Sequence, residues 1–231
     1  MIHEKEDDLF ARWKTDLKRP EAFIPDGVVD ETLWNHTPKK VLYLLKEVNG
    51  GENWDERHYL ARYDIEEQYI KTHSPSINSL VCWQLGLNLL WEPDMWKGIS
   101  TWQELWPVAE EPTARTHLLH QIAVVNLKKI SGGSTVDWTA FETYWSEERN
   151  RELLKEQLAL YRPDYVVCGK TAGYLEQLYG KWEWKQTSRG VSYYTFNGVT
   201  YIDFCHPDVR APRNFAVYAL QDAVREIEEK I

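Results

Sequence analysis

The chain has 231 residues, a length that suits one large domain, and its 43% apolar and 27% charged composition excludes disordered, collagen-like and coiled-coil chains. Twenty-seven Lys and Arg against 36 Asp and Glu leave a net charge of −9 and a pI near 5.3, which disfavours generic coating of nucleic acid. No apolar run approaches membrane-spanning length and the acidic start, Met1 to Asp8, is unlike a targeting peptide, so the expectation is a cytoplasmic chain with no membrane partner.

In chain order, Leu9, Phe10, Trp13 and Leu17 fall at helical spacing and predict a helix over Glu4 to Lys18, within an N-terminal helical extension of about residues 1–38. Val41 to Leu45 follows as an apolar run that reads as a strand buried on both faces. Ile77, Leu80, Val81, Leu85 and Leu89 predict a helix, and a Trp-rich stretch from Trp91 to Trp106 has no clear periodicity. Further strands are expected at Ile122 to Leu127, Tyr165 to Cys168 and Val199 to Phe204, with helices over Glu147 to Leu160, Thr171 to Leu178 and Arg213 to Glu229. Alternating strands and helices spell βαβ units and a parallel sheet. Asn197-Gly198 between Tyr193–Phe196 and the last strand is a hairpin signal, so one antiparallel strand should join it. The reading is a single α/β domain of three αβα layers around a short, mainly parallel sheet.

Cys82, Cys168 and Cys205 are scattered and odd in number, without a C-x-x-C, and read as buried thiols rather than as a disulfide framework or metal site. His58, His73, His117 and His120 lack metal-helix spacing and read as surface or capping residues, so neither a metal nor another cofactor is expected. Gly169-Lys170-Thr171 follows a strand, but Asp164 stands where a phosphate loop needs its first glycine. Ligands of open parallel sheets gather beyond the carboxyl ends of the strands, where loops and helix N-termini converge. Polar, Gly-rich and basic residues follow each strand here: Lys46 to Asp55, Lys128 to Thr135, Gly169 to Thr171, and Cys205 to Arg210.

The order of four of these pieces resembles the uracil-DNA glycosylase superfamily. Leu45-Lys46-Glu47-Val48-Asn49-Gly50 is similar to its first loop, and Val125-Asn126-Leu127-Lys128-Lys129 to its strand ending in Asn. Pro163 to Gly169 is similar to its later strand-plus-Gly, and Phe204-Cys205-His206-Pro207-Asp208 to its His-Pro-Ser motif. The resemblance implies excision of a base from nucleic acid by hydrolysis of an N-glycosidic bond, or recognition of such a base, and so a DNA partner, single-stranded DNA included, or a nucleotide. Such hydrolysis needs a stabilised departing base anion and a delivered water.

On this resemblance His206 donates to the base oxygen, and Glu47 positions or activates water. Asn126 reads the base edge, since an amide donates and accepts at once, while Trp54, Val48 and Asn49 line the base site, Trp54 by stacking. Lys128, Ser131, Gly132, Ser134, Arg210 and Arg213 are the candidates for holding phosphate. A plainer role for Glu47 is an ion pair with Lys46 or Arg57.

Two departures bear on activity. Val48 stands at the loop position where the family carries a catalytic Asp or Asn, and Asp208 replaces the Ser that donates to phosphate. They keep two rivals open: a catalytically silent relative that binds a nucleotide or protein, and a hydrolase of small nucleotides. The chain is read as a monomer.

Overall fold

The four apolar runs become the parallel strands at the middle of a seven-stranded mixed sheet. In this computed structural model, which describes residues 1–62, 74–133 and 135–230, they are β2 (Val41–Asn49), β3 (Ile122–Gly132), β4 (Tyr165–Gly169) and β7 (Val199–Phe204). Antiparallel strands extend both sides: β1 (Gly27–Val28) pairs with β3, while β6 (Ser192–Phe196) pairs with β7 and β5 (Lys185–Gln186) with β6. The order is β1-β3-β2-β4-β7-β6-β5. Asn197 and Gly198 turn the β6–β7 hairpin with φ of +51° and +82°, the paired left-handed conformations that match strand twist.

Alternation along the strands sends successive side chains to opposite faces, and both faces are covered. Tyr43, Leu45, Val124 and Val167 face a layer built from α3 (Glu56–Ala61), α4 (Pro75–Trp91), α5 (Trp102–Glu110), α6 (Pro112–His120) and α10 (Arg213–Glu228). Leu42, Leu44, Val125 and Val166 face a second layer from α1 (Ile2–Thr15), α2 (Glu31–His36), α7 (Trp138–Ser146), α8 (Glu148–Tyr161) and α9 (Ala172–Tyr179). Helix α4 is buried around nearly its whole circumference, between the sheet and α10, and its buried Gln84 and Asn88 are hydrogen-bonded to each other. Gly86 permits that contact, because a Cβ there would lie 2.7 Å from Val217 Cγ1.

Two strands run further than their apolar cores. β2 continues through Lys46, Glu47 and Val48 to Asn49, and β3 through Lys128 and Lys129 to Gly132, so residues expected in loops lie in the ladder. The reason is mutual neutralisation. Glu47 stands opposite Lys128, and their ion pair lets polar side chains remain in a buried parallel pairing. The first 38 residues contribute α1 and α2 but also β1, which adds an edge to the sheet. Within the Trp-rich stretch α4 ends at Trp91 and helix resumes at Trp102, after Ser100 and Thr101 give N–H and hydroxyl groups to Glu104. Among the described residues no helix is long and apolar enough to cross a membrane.

Candidate functional site

Polar residues collect at the carboxyl ends of the parallel strands in two groups, one buried and one open. The buried group begins with Asp26, just before β1. Its carboxylate accepts from the Asn126 backbone N–H at 2.7 Å, from Asn126 Nδ2 at 3.2 Å, from Lys129 Nζ at 2.6 Å and from Gln157 Nε2 at 2.9 Å. Asp26 thereby fills the ladder position that β1 vacates beside β3. Lys129 is wholly buried, and burial pushes its pKa down while Asp26 opposes that.

Asn126 divides its amide between two carboxyl groups, since Nδ2 also donates to Glu56 Oε2 at 2.7 Å. Glu56 opens α3, and burial, reinforced by the Asp26 charge, raises its pKa to about 8. Beside it, Arg57 is buried and binds Glu6 at 2.7 Å and Asp55 at 2.7 Å, tying α1 to the loop after β2. Glu6 is also buried and its pKa is raised, burial outweighing Arg57.

Glu47 shares the Asn126 face of the sheet, two residues further along β2 from Leu45, the partner of Asn126. Its Oε2 accepts from Lys128 Nζ at 2.5 Å, and neither Lys46 nor Arg57 is its ion-pair partner. Oε1 is buried without a hydrogen-bond partner among the described residues. Gly132 makes the arrangement fit, because any Cβ there would collide with the Glu47 carboxylate.

The open group has one member from each parallel strand's end. Lys46 projects from β2 on the face opposite Glu47, Trp138 follows β3 as the first residue of α7, Lys170 follows β4, and His206 follows β7. Lys46 Nζ lies 4.3 Å from the centre of the Trp138 ring. His206 Nδ1 accepts the Asp208 backbone N–H at 3.1 Å, which leaves the proton of the neutral ring on Nε2, a donor without an acceptor among the described residues. Burial lowers the His206 pKa, Asp208 opposes, and Lys46 and Lys170 lower it further, which favours the neutral ring. Gly169 lets these ends come together: a Cβ there would press on Leu45 at 2.8 Å and Pro207 at 3.4 Å.

The sequence-selected residues therefore fall in different settings. Glu47, Asn126 and Lys128 belong to the buried group, and Lys128 is engaged by Glu47 rather than exposed to a phosphate. Trp54 donates Nε1–H to Gly51 O at 3.0 Å and meets Tyr59 edge-on at 5.7 Å, above Gly50. Val48 is buried and Asn49 exposed. Ser131 is half-buried beside Gly132, and Ser134 and His73 lie outside the described residues. Arg210 is exposed, whereas Arg213 stacks its guanidinium 5.3 Å from the Trp106 ring centre, in the α4–α10 layer. The remaining histidines make local contacts: His58 with Asp55, His117 with Gln121, and His120 with Ala61 O.

Asp26, Glu56, Lys46, Trp138 and Lys170 are the members that reading by motif passes over. Lys46 and Lys170 carried a signal, since each is the first charged residue beyond an apolar run. Asp26 and Glu56 carried none, because their partners are distant in the chain. No family model matches the chain, and no curated protein or solved structure matches it.

Proposed function

We propose that the chain is a uracil-DNA glycosylase-like protein that acts on nucleic acid and excises a base by hydrolysing its N-glycosidic bond. The observation that carries this reading is His206 at the carboxyl edge of the sheet: its Nδ1 accepts the Asp208 N–H, its Nε2–H has no acceptor among the described residues, and burial with the Lys46 and Lys170 charges favours the neutral ring. Such a donor, reinforced by cations, suits the charge that develops on a departing base. A short parallel sheet with the end of its first strand and a His-Pro loop at one edge is also what the sequence resemblance implies.

In this mechanism water bonds through its oxygen to the sugar's anomeric carbon, and the carbon–nitrogen bond breaks with its electron pair going to the base. Glu47 Oε1, which has no hydrogen-bond partner among the described residues, is the oxygen assigned to receive the water's proton, a step that requires the buried Glu47–Lys128 pair to open toward the substrate. His206 Nε2–H holds the base oxygen. Val48 takes no part, and its departure from the family pattern leaves the carboxylate duty to Glu47.

A second reading, a catalytically silent relative that binds a nucleotide or a protein, is favoured by one observation. The Asn126 amide nitrogen is already shared between Asp26 and Glu56 and is not free to read a base. Base release from single- and double-stranded oligonucleotides containing uracil or hypoxanthine, and from the matching mononucleotides, separates these readings. The expected result is release from a strand that falls about 10²–10³-fold in His206→Ala, the usual effect of removing one preorganised donor, with the melting temperature nearly unchanged. Release only from mononucleotides selects a small-nucleotide hydrolase. Undiminished release by His206→Ala overturns the assignment, and binding without release selects the silent relative.

A further inference from the structure

The carboxyl ends of β2 and β4 lie side by side, yet the chain leaves them on opposite faces of the sheet. From β2 it passes to α3 in one layer, and from β4 to α9 in the other. Neighbouring strands that part in this way open a crevice at their ends. Lys46, near the end of β2, and Lys170, just past β4, stand at its mouth. Leu44 pairs with Cys168 at the end of the β2–β4 ladder, so Lys46 and Lys170 each lie two residues beyond the last pair, and burial, then the Lys170 charge, lower the Lys46 pKa. Among the described residues neither ammonium has an ion-pair partner, in a chain with nine more acids than bases.

Three further features surround the crevice. Trp138 is 51% exposed although its ring is held by Lys46, an apolar surface left open at the edge of the sheet. Thr171, the residue before α9, gives its hydroxyl to Leu44 O at 2.8 Å, so the first N–H groups of α9 have no side-chain cap. Gly173 in that first turn has nothing within 4 Å of where a Cβ would stand, leaving space for a ligand against the helix end.

We infer that Lys46, Lys170 and Trp138 form a nucleotide-holding ledge, on which a base stacks against the exposed part of the Trp138 ring while its phosphate lies between the two ammonium groups. Aromatic faces accept any base, and paired lysines hold a phosphate as point charges. The inference rests on the proposed function for the identity of the ligand as part of a nucleic-acid strand. His206 follows β7, the strand paired with β4 whose end carries Lys170, so the nucleotide on the ledge is the neighbour of the one whose base is removed. A free mononucleotide offers the same chemistry, and the experiment distinguishes the two.

Anisotropy of a labelled single-stranded thymidine oligonucleotide, with competition by a duplex and by thymidine 5′-monophosphate, measures binding to the full chain. Trp138→Ala is expected to weaken single-strand binding about tenfold or more, and Trp138→Phe to keep most of it. Lys46→Ala and Lys170→Asn, the latter chosen because Lys170 has φ +59° and Asn tolerates that conformation, should each flatten the dependence of log affinity on log salt by about 0.7. Equal losses for the monophosphate assign the ledge to free nucleotides; losses confined to the strand assign it to the neighbouring nucleotide. Wild-type affinity and salt slope in Trp138→Ala, Lys46→Ala and Lys170→Asn alike, or no binding of any of the three ligands by the wild type, overturn the inference. Because the readout is binding, absence of base release ends the catalytic reading and leaves the ledge standing.

Discussion

Glu56 offers the sharpest test of the buried group. Its pKa rises from an ordinary 4.5 to about 8, because burial disfavours its charge and Asp26 repels it. Between these values the folded chain keeps a proton that the unfolded chain has released. Stability therefore falls as pH climbs from about 4.5 and stops falling above about 8. At about 1.4 kcal/mol per pH unit the gap sets a ceiling of about 5 kcal/mol, of which relaxation and water entry leave roughly 2–3. Glu56→Gln removes the titration but keeps a carbonyl oxygen to accept from Asn126 Nδ2, which lies 2.7 Å from Glu56 Oε2. At roughly 2–4 °C per kcal/mol for a chain of this size, the variant should melt about 5–10 °C above wild type at pH 9. At pH 5, where the wild-type carboxyl is also neutral, the two should agree within about 2 °C. Thermal unfolding followed by circular dichroism from pH 5 to pH 9 supplies both curves. Parallel curves for the two proteins would refute the idea that Glu56 holds its proton in the fold.

Lys129→Met leaves the buried Asp26 charge without its cation, and should cost about 3–5 kcal/mol in denaturant unfolding. Adding Asp26→Asn should recover part of that loss, because the orphaned charge is then gone. Gly132→Ala drives a Cβ into the Glu47 carboxylate, so the Glu47–Lys128 pair must shift, and a loss of about 1–3 kcal/mol is expected from the same measurement.

What the sequence determined by itself is the frame. Runs such as Val41 to Leu45 and Tyr165 to Cys168 are apolar at every position and too short for a buried helix, a pattern that a strand covered on both faces satisfies. Asn197-Gly198 specified its hairpin in the same local way, since both residues accept left-handed backbone at little cost. Periodicity likewise placed α10 along Arg213 to Glu228, one residue short of the expected end.

The buried and open groups were decided only by tertiary structure. Glu47 and Lys128 read as loop residues because their charges look solvent-bound, and only the register of β2 against β3 lets each neutralise the other inside the ladder. Asp26 meets Asn126 across 100 residues and Lys129 across 103, distances at which no local pattern survives. Whether Lys46 and Glu47, adjacent in the chain, share a partner is settled by the pleat, which sends one to Trp138 and the other to Lys128. Periodicity reports which residues must leave water; which polar groups they meet there depends on strand order, and that is set by the packing of the whole chain.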